Sequence, residues 1–222
     1  MADEPTIELA KNGPLLVKGL EDLQNSEGKP LPSKKVMALC RCGGSETKPF
    51  CDGTHSDIGF SDEKLDGRHS DKRDDYVGGG ITIHDNRSVC SHAGACTKGL
   101  PHVWRMKTEP WIDPDGDGAT EIIETIRQCP SGALSYTVDG VFHQDEDRSP
   151  AIQVSKDAPY VVTGGVELLQ VEWGEGASSE HYALCRCGKS KNKPFCDGTH
   201  WSAEFKDDQT DALAEDGPVL ST

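Results

Sequence analysis

The sequence predicts a β-rich α+β protein in which two copies of one small module flank a different α+β module. Three observations predict it. Two stretches repeat each other at a fixed offset of 145 residues within the 222-residue chain. The apolar runs inside each copy have strand length and end at glycine. The material between the copies carries its own pattern, including one helical period. The expected units are residues 1–62, 76–141 and 151–206.

The repeat is nearly literal. Cys40-Arg41-Cys42-Gly43 matches Cys185-Arg186-Cys187-Gly188, and Lys48 to His55 (KPFCDGTH) matches Lys193 to His200. From the first Cys to the His, 13 of 16 positions are identical, with only 44, 46 and 47 differing from their counterparts. The same offset pairs Pro14 with Pro159, Val17 with Val162, Gly19 with Gly164, Leu23 with Leu168 and Phe60 with Phe205. The duplicated unit therefore spans about 11–60 and 156–205 without a net insertion. Both copies are expected to do the same job.

Within each copy, Pro14 to Gly19 and Pro159 to Gly164 read as short strands, and another short strand leads into each Ala-Leu-Cys. The polar stretches 61–75 and 143–150 read as joints. In the middle block Ile81 and Ile83 alternate as in a strand. Ala119 to Gln128 has helical spacing of Ile122, Ile123 and Ile126 and stops at Cys129-Pro130, and Leu134 to Val138 reads as a strand. The polar residues after Phe205 are expected to be loose.

Composition sets the energetic problem. Leu, Ile, Val and Phe supply 42 residues (19%), against a net charge of −15. That balance is typical of chains that bury too little apolar surface to offset chain entropy. Nine cysteines offer another source of order, because small modules commonly rely on metals or disulfides. The metal-free chain is accordingly expected to be largely unfolded. The acidity argues against nucleic acid and anionic membrane surfaces and suits partners with basic docking surfaces. No run approaches the roughly 18–20 apolar residues of a membrane span. Met1-Ala2-Asp3-Glu4-Pro5 lacks signal-peptide character. A cytoplasmic location follows, where clustered thiols stay reduced and read as metal sites before disulfides.

Each copy has the spacing C-x-C-x8-C-x3-H. Three thiolates and an imidazole can close a tetrahedral zinc site, or can hold two irons, with two cysteines on one and Cys plus His on the other. Cys40 and Cys42 are too close in sequence for an ordinary disulfide. Spacing alone leaves both metals open.

As it stands in both copies, the pattern C-x-C-x2-S-x3-P-x-C-D-G-T-H resembles the CDGSH (NEET) iron–sulfur family, with Ser45 and Ser190, and Thr54 and Thr199, at the hydroxyl positions. The resemblance covers about 50 residues per copy. It implies one 2Fe–2S cluster bound by Cys40, Cys42, Cys51 and His55, and another by Cys185, Cys187, Cys196 and His200. It also implies that the two modules can pair around an intrachain pseudo-twofold axis, as subunits do in that family, so that a monomer suffices. Three thiolates and a neutral imidazole leave one negative charge fewer than four thiolates, which raises the reduction potential, the trend seen when His replaces Cys in Rieske centres. A His ligand can also be protonated and lost, coupling cluster retention to pH. Asp52-Gly53 and Asp197-Gly198 suit tight turns that bring Cys and His together. Lys48 and Lys193 can offset cluster charge or simply be solvated.

The middle block offers Cys90, Cys96 and Cys129. Cys90-Ser-His-Ala-Gly-Ala-Cys96 with the distant Cys129-Pro130 resembles the ferredoxin signature with its second cysteine missing, Ala93 standing there instead. The block is similar to divergent single-cluster ferredoxin domains. Three thiolates fit a 3Fe–4S cluster; a 4Fe–4S cluster would need a fourth ligand, from His92 or an outside molecule. A trio of buried free cysteines is the structural alternative.

Asp113-Pro-Asp115-Gly-Asp117-Gly118 with Glu124 satisfies the calcium-loop pattern. Glu109-Pro110-Trp111 and Pro114 oppose the entering helix, so an acidic turn into the 119–128 helix is the favoured reading. The remaining histidines have no ligand spacing, the tryptophans read as packing anchors, and no nucleotide or nucleophile motif is present. The leading expectation is a three-cluster electron carrier. The alternatives are cluster storage and delivery to apo-proteins, or a zinc-stabilised interaction module. No constellation supports a specific enzymatic reaction.

Overall fold

The computed structural model describes residues 4–215. The first repeat contributes β1 (Thr6–Leu9), β2 (Leu15–Lys18), β3 (Leu23–Asn25), β4 (Val36–Leu39) and the one-turn helix α1 (Thr54–Asp57). The middle block contributes β5 (Asp74–Val77), β6 (Thr82–Asp85), a 3-10 turn (Arg87–Val89), α2 (Ala95–Gly99), α3 (Ala119–Arg127), β7 (Leu134–Val138) and β8 (Val141–His143). The second repeat contributes β9 (Ala151–Val154), β10 (Tyr160–Thr163), β11 (Glu167–Leu168), β12 (Tyr182–Leu184), α4 (Thr199–Ser202) and α5 (Gln209–Glu215). The fold is α+β and β-rich, as the sequence predicts. Among the described residues, no helix is long and apolar enough to cross a membrane.

The strands of the two repeats are exchanged. One sheet has the order β11-β1-β2-β4 and the other β12-β10-β9-β3. Neighbouring strands of one repeat pair antiparallel, Ile7 opposite Val17 and Ile152 opposite Val162. One outer strand of each sheet comes from the other repeat and pairs parallel, Leu168 beside Ile7 and Leu23 beside Ile152. The alternation of Leu15 and Val17 inward with Leu16 and Lys18 outward is the period of a half-buried strand.

Exchange gives both repeats one apolar core. Ile7, Leu15, Val17, Leu23 and Leu39 pack in the same cluster as Ile152, Tyr160, Val162, Tyr182, Leu184 and Phe195. The two repeats thus pool their few large side chains in a single cluster. The duplication also reaches further upstream than the identities suggest, since β1 and β9 lie at the same offset with Ile7 and Ile152 both buried.

The middle block folds on a second core. Its antiparallel sheet has the order β5-β6-β7-β8, and Ile122 and Ile126 of α3 pack with Ile83, Trp104, Ile112 and Tyr136. The helix ends just before Cys129-Pro130, as expected. In the acidic turn ahead of it, Asp113 pairs with Arg105 at 2.9 Å and Asp115 accepts the Gly79 amide at 2.7 Å.

The expectation of a loose tail after Phe205 is corrected as far as Glu215; residues 216–222 lie outside the described residues. Asp207 caps α5 by accepting the Gln209 and Thr210 amides, each at 3.1 Å. Leu213 packs against the shared core. A capping aspartate three residues before a threonine was the available signal.

Candidate metal centres

Each CDGSH loop leaves a core strand and folds straight back onto it. Cys40 N–H donates to the Pro49 carbonyl and Cys51 N–H to the Ala38 carbonyl, both at 2.8 Å. Cys185 and Cys196 repeat this with Pro194 and Ala183. Ser45 and Ser190 each donate to the carbonyl of the following Phe50 or Phe195 at 2.7 Å. Asp52 accepts the Glu46 and Thr54 amides, and Asp197 those of Lys191 and Thr199. These bonds fix the turn that carries Cys and His, as the sequence suggests. They also hold the Asp52 carboxyl well below the usual carboxylate range, the Glu46 amide acting most strongly.

The donor atoms come together in pairs. In the first site Cys40 Sγ lies 3.6 Å from Cys42 Sγ, and Cys51 Sγ 3.3 Å from His55 Nδ1. In the second site the same separations are 3.8 and 3.3 Å. Among the described residues, no three of these donors lie within 4.8 Å of one another. The thiol–thiol hydrogen bond lowers one partner of each cysteine pair, Cys40 to about 5 and Cys187 to about 7, and raises the other, with burial adding to the rise. A thiolate is thereby favoured in each site, which is the form that binds a soft metal.

Two supporting residues were not singled out from the sequence. Arg41, between the first two cysteines, pairs with Asp62 at 2.9 Å and donates to the Gly13 and Ala10 carbonyls. Arg186 does the same with Asp207, Ser155 and Ala158. The shared arginine inside C-R-C was the signal. Lys48 and Lys193 are buried, Lys48 donating to the Ser45 carbonyl, so the solvated reading of these lysines does not hold.

The two loops touch each other. A Cβ on Gly43 would come 2.7 Å from the Cys187 carbonyl oxygen, and one on Gly188 would come 2.4 Å from that of Cys42. Both glycines have positive φ (81° and 73°), so backbone conformation and close approach each call for glycine. Tyr160 from the second repeat donates to the Cys40 and Pro49 carbonyls at 2.8 and 3.0 Å, tying one copy's core to the other's loop.

In the middle block Cys90, Cys96 and Cys129 line one cavity of about 170 Å³, with Ala93 in its wall. Arg87 reaches Cys90 Sγ at 3.6 Å, pairs with Asp85 at 2.9 Å and stacks over Trp111 at 3.9 Å. Burial pushes the Cys90 thiol up to about 12 and the Cys96 thiol to about 11, the pull of Arg87 notwithstanding. Ser91 lines the same cavity, and its buried hydroxyl has no hydrogen-bond partner within the protein. Three soft donors, a nearby cation and an unpaired hydroxyl suit an anionic, sulfur-rich group. The His92 ring packs on Gly198 of the second CDGSH loop, where a Cβ would meet Cδ2 at 2.6 Å.

The two CDGSH sites differ in exposure. Cys51 and His55 are half-buried, whereas Cys196 and His200 are 2% and 4% exposed. Burial lowers the proton affinity of His200. It also pushes the Cys196 thiol up. A separate group, Asp145, Glu180 and His181, brings its donor atoms together. Those atoms are engaged with Ser178 and Arg148.

Comparison with known proteins agrees with this chemistry. The family model described as iron-binding zinc finger CDGSH type matches residues 12–56 and 157–201, and the divergent 4Fe–4S mono-cluster model matches residues 76–139. The uncharacterized protein YjdI of Escherichia coli K12 is 38% identical over 61 residues, 28% of this chain and 80% of YjdI. CDGSH iron-sulfur domain-containing protein 1 of Mus musculus is 36% identical over 73 residues, 32% of this chain and 60% of the mouse protein. No solved structure matches the chain. Site chemistry and matches together define an iron–sulfur cluster-binding protein. The chain belongs to the CDGSH iron–sulfur family, with two CDGSH copies flanking a divergent single-cluster module.

Proposed function

We propose that the chain carries electrons through three iron–sulfur centres. Two are 2Fe–2S clusters held by Cys40, Cys42, Cys51 and His55, and by Cys185, Cys187, Cys196 and His200. The third is a 3Fe–4S cluster held by Cys90, Cys96 and Cys129. The observation that carries this reading is the pairing of donors. A mononuclear zinc would need every pair of thiolates about 3.8 Å apart, as Zn–S bonds of about 2.3 Å in a tetrahedron require. Here only two atoms at a time come that close, with no three donors of these sites inside 4.8 Å among the described residues. When bound, such clusters supply reversible one-electron chemistry. Arg87 and the Ser91 hydroxyl would stabilise added negative charge at the middle site.

The test is reduction of the purified protein by a defined one-electron donor and return of the electrons to an acceptor, followed by electron paramagnetic resonance. Reversible signals from both kinds of centre are expected. A redox-silent protein, or stoichiometric zinc without charge-transfer absorption, overturns the reading. The same spectrum decides the middle site: oxidised 3Fe–4S is paramagnetic, whereas oxidised 4Fe–4S, the type named by the matching family model, is silent and would require a fourth ligand.

The half-buried Cys51–His55 edge supports a second reading, release of the first cluster to an apo-protein in a pH-sensitive way. Incubation with an apo-ferredoxin tests it, and an acceptor that gains no cluster overturns it. Partners with basic surfaces suit the −15 charge. Nine free cysteines suit a reducing compartment such as the cytoplasm. The exchanged strands support an intrachain pseudo-twofold pairing that lets a single chain suffice.

A further inference from the structure

Where the two CDGSH copies diverge, the middle module sits. One of the three differing motif positions, Asn192 against Thr47, is a contact point between the second copy and the middle module. Asn192, 1% exposed, donates to the Ser88 carbonyl at 2.8 Å, while the neighbouring Lys191 carbonyl accepts the Leu65 amide of the 61–75 joint, also at 2.8 Å. The residue after the histidine also differs: Ser56 in the first copy, Trp201 in the second. The Trp201 indole donates to the His92 carbonyl at 3.2 Å, and its ring centroid lies 5.2 Å from that of His200. Glu46, Thr47 and Ser56 are all exposed. The second copy therefore differs from the first where it meets the middle module, and its ligand edge is covered there.

The covering contact is also short. His92 is two residues from Cys90, and Gly198 is two residues from both Cys196 and His200. Two residues span at most about 7 Å, and the His92 ring touches Gly198 directly. On its other side, the second site meets the first through the Gly43–Cys187 and Gly188–Cys42 contacts. The sites thus stand in the order middle, second, first.

We infer that the contact of His92 with Gly198 and Trp201 joins the middle and second CDGSH sites into an internal electron-exchange pair, and that the first CDGSH site is where an outside redox protein exchanges with the chain. This inference rests on the electron-transfer reading above. Each exchange moves one electron, one site being oxidised as its neighbour is reduced. The electron enters or leaves through a one-electron protein partner, and no bond or proton is exchanged.

The test is electron paramagnetic resonance on the reduced full-length holoprotein. The variants His55→Cys and His200→Cys each keep four ligands and mark which 2Fe–2S signal belongs to which copy. Magnetic broadening from the middle centre should fall on the signal that responds to His200→Cys and vanish in Cys129→Ser. Broadening on the signal that responds to His55→Cys overturns the inference, as does its absence from both while all three centres reduce reversibly. Centres that do not reduce reversibly overturn the electron-transfer reading itself, and the inference with it. A double variant, Asn192→Thr with Trp201→Ser, gives the second copy the first copy's residues. It should slow exchange between the middle and second centres by about tenfold or more, the factor that loss of two hydrogen bonds implies for occupancy of the contact. An unchanged rate counts against the inference.

Discussion

The two CDGSH copies carry the same four donors, three cysteines and a histidine, yet one site opens to solvent and the other is closed by the middle module. Cys51 and His55 are half-buried; Cys196 and His200 are almost fully buried. The ligands do not create this difference. A few residues around them do: Asn192 and Trp201 in place of Thr47 and Ser56, and α5 packed behind the second copy. A duplicated metal loop can therefore keep its chemistry while its surroundings set who reaches it.

The buried arginines should separate the copies most. Arg186 and Asp207 are 2% and 1% exposed, so Arg186→Ala strands a buried carboxylate that also caps α5. Breaking such a pair costs about 3–5 kcal/mol, or on the order of 10 °C in melting temperature for a chain of this size. Arg41→Ala leaves Asp62 with Lys11 and some solvent access, and should cost less than half as much. Equal melting shifts by calorimetry would show that the second copy is no more tightly built than the first.

The glycine contact should act alike in both copies. Gly43→Ala and Gly188→Ala each force a positive φ on alanine and push a methyl into the opposite loop's carbonyl. About 2–3 kcal/mol is expected from either. A large inequality in denaturant titration would mean that the loops do not meet reciprocally.

Acid should then separate the sites by smaller energies. An imidazole that ligates a metal does so in its neutral form, and protonation competes with binding as pH falls towards and below the usual histidine range near about 6.5. Burial lowers the proton affinity of His200, so that imidazole stays neutral to lower pH. His55 is open to water. Visible absorbance of the His55→Cys and His200→Cys variants, followed from neutral pH downwards, should show the native first site bleaching before the native second one. The reverse order would break the comparison.

Much of this was legible in the sequence, for physical reasons. Near-identity over the motif made the candidate donors and the duplication visible, and the period of Ile122 and Ile126 marked α3. The strand exchange was not legible. β3 and β11 are only 3 and 2 residues long and pair with strands more than a hundred residues away, so no local signal marks them. The shared core was hidden for the same reason, which is why composition alone suggested a chain held mainly by metal. With its sheets built on that core, the metal-free protein should keep β-structure by circular dichroism and lose order chiefly in its cysteine loops. Ser91 is a common residue whose orphaned hydroxyl becomes informative only once the cavity around it is seen.

The smallest expected effect bears most directly on the difference between the copies. Trp201 is 64% exposed, and its single hydrogen bond to the His92 carbonyl is worth about 1 kcal/mol at most. Trp201→Ser should therefore leave the melting temperature nearly unchanged. The same ring lies beside His200, and Ser56 holds the equivalent place beside the open first site. If the tryptophan is what keeps water from the histidine edge, the variant should bring the acid bleaching of the second site towards that of the first. If bleaching stays where it was, the cover is supplied by His92 and the body of the middle module. Ala substitution of His92 should then move it, because that ring, and not the indole, rests on Gly198 between Cys196 and His200.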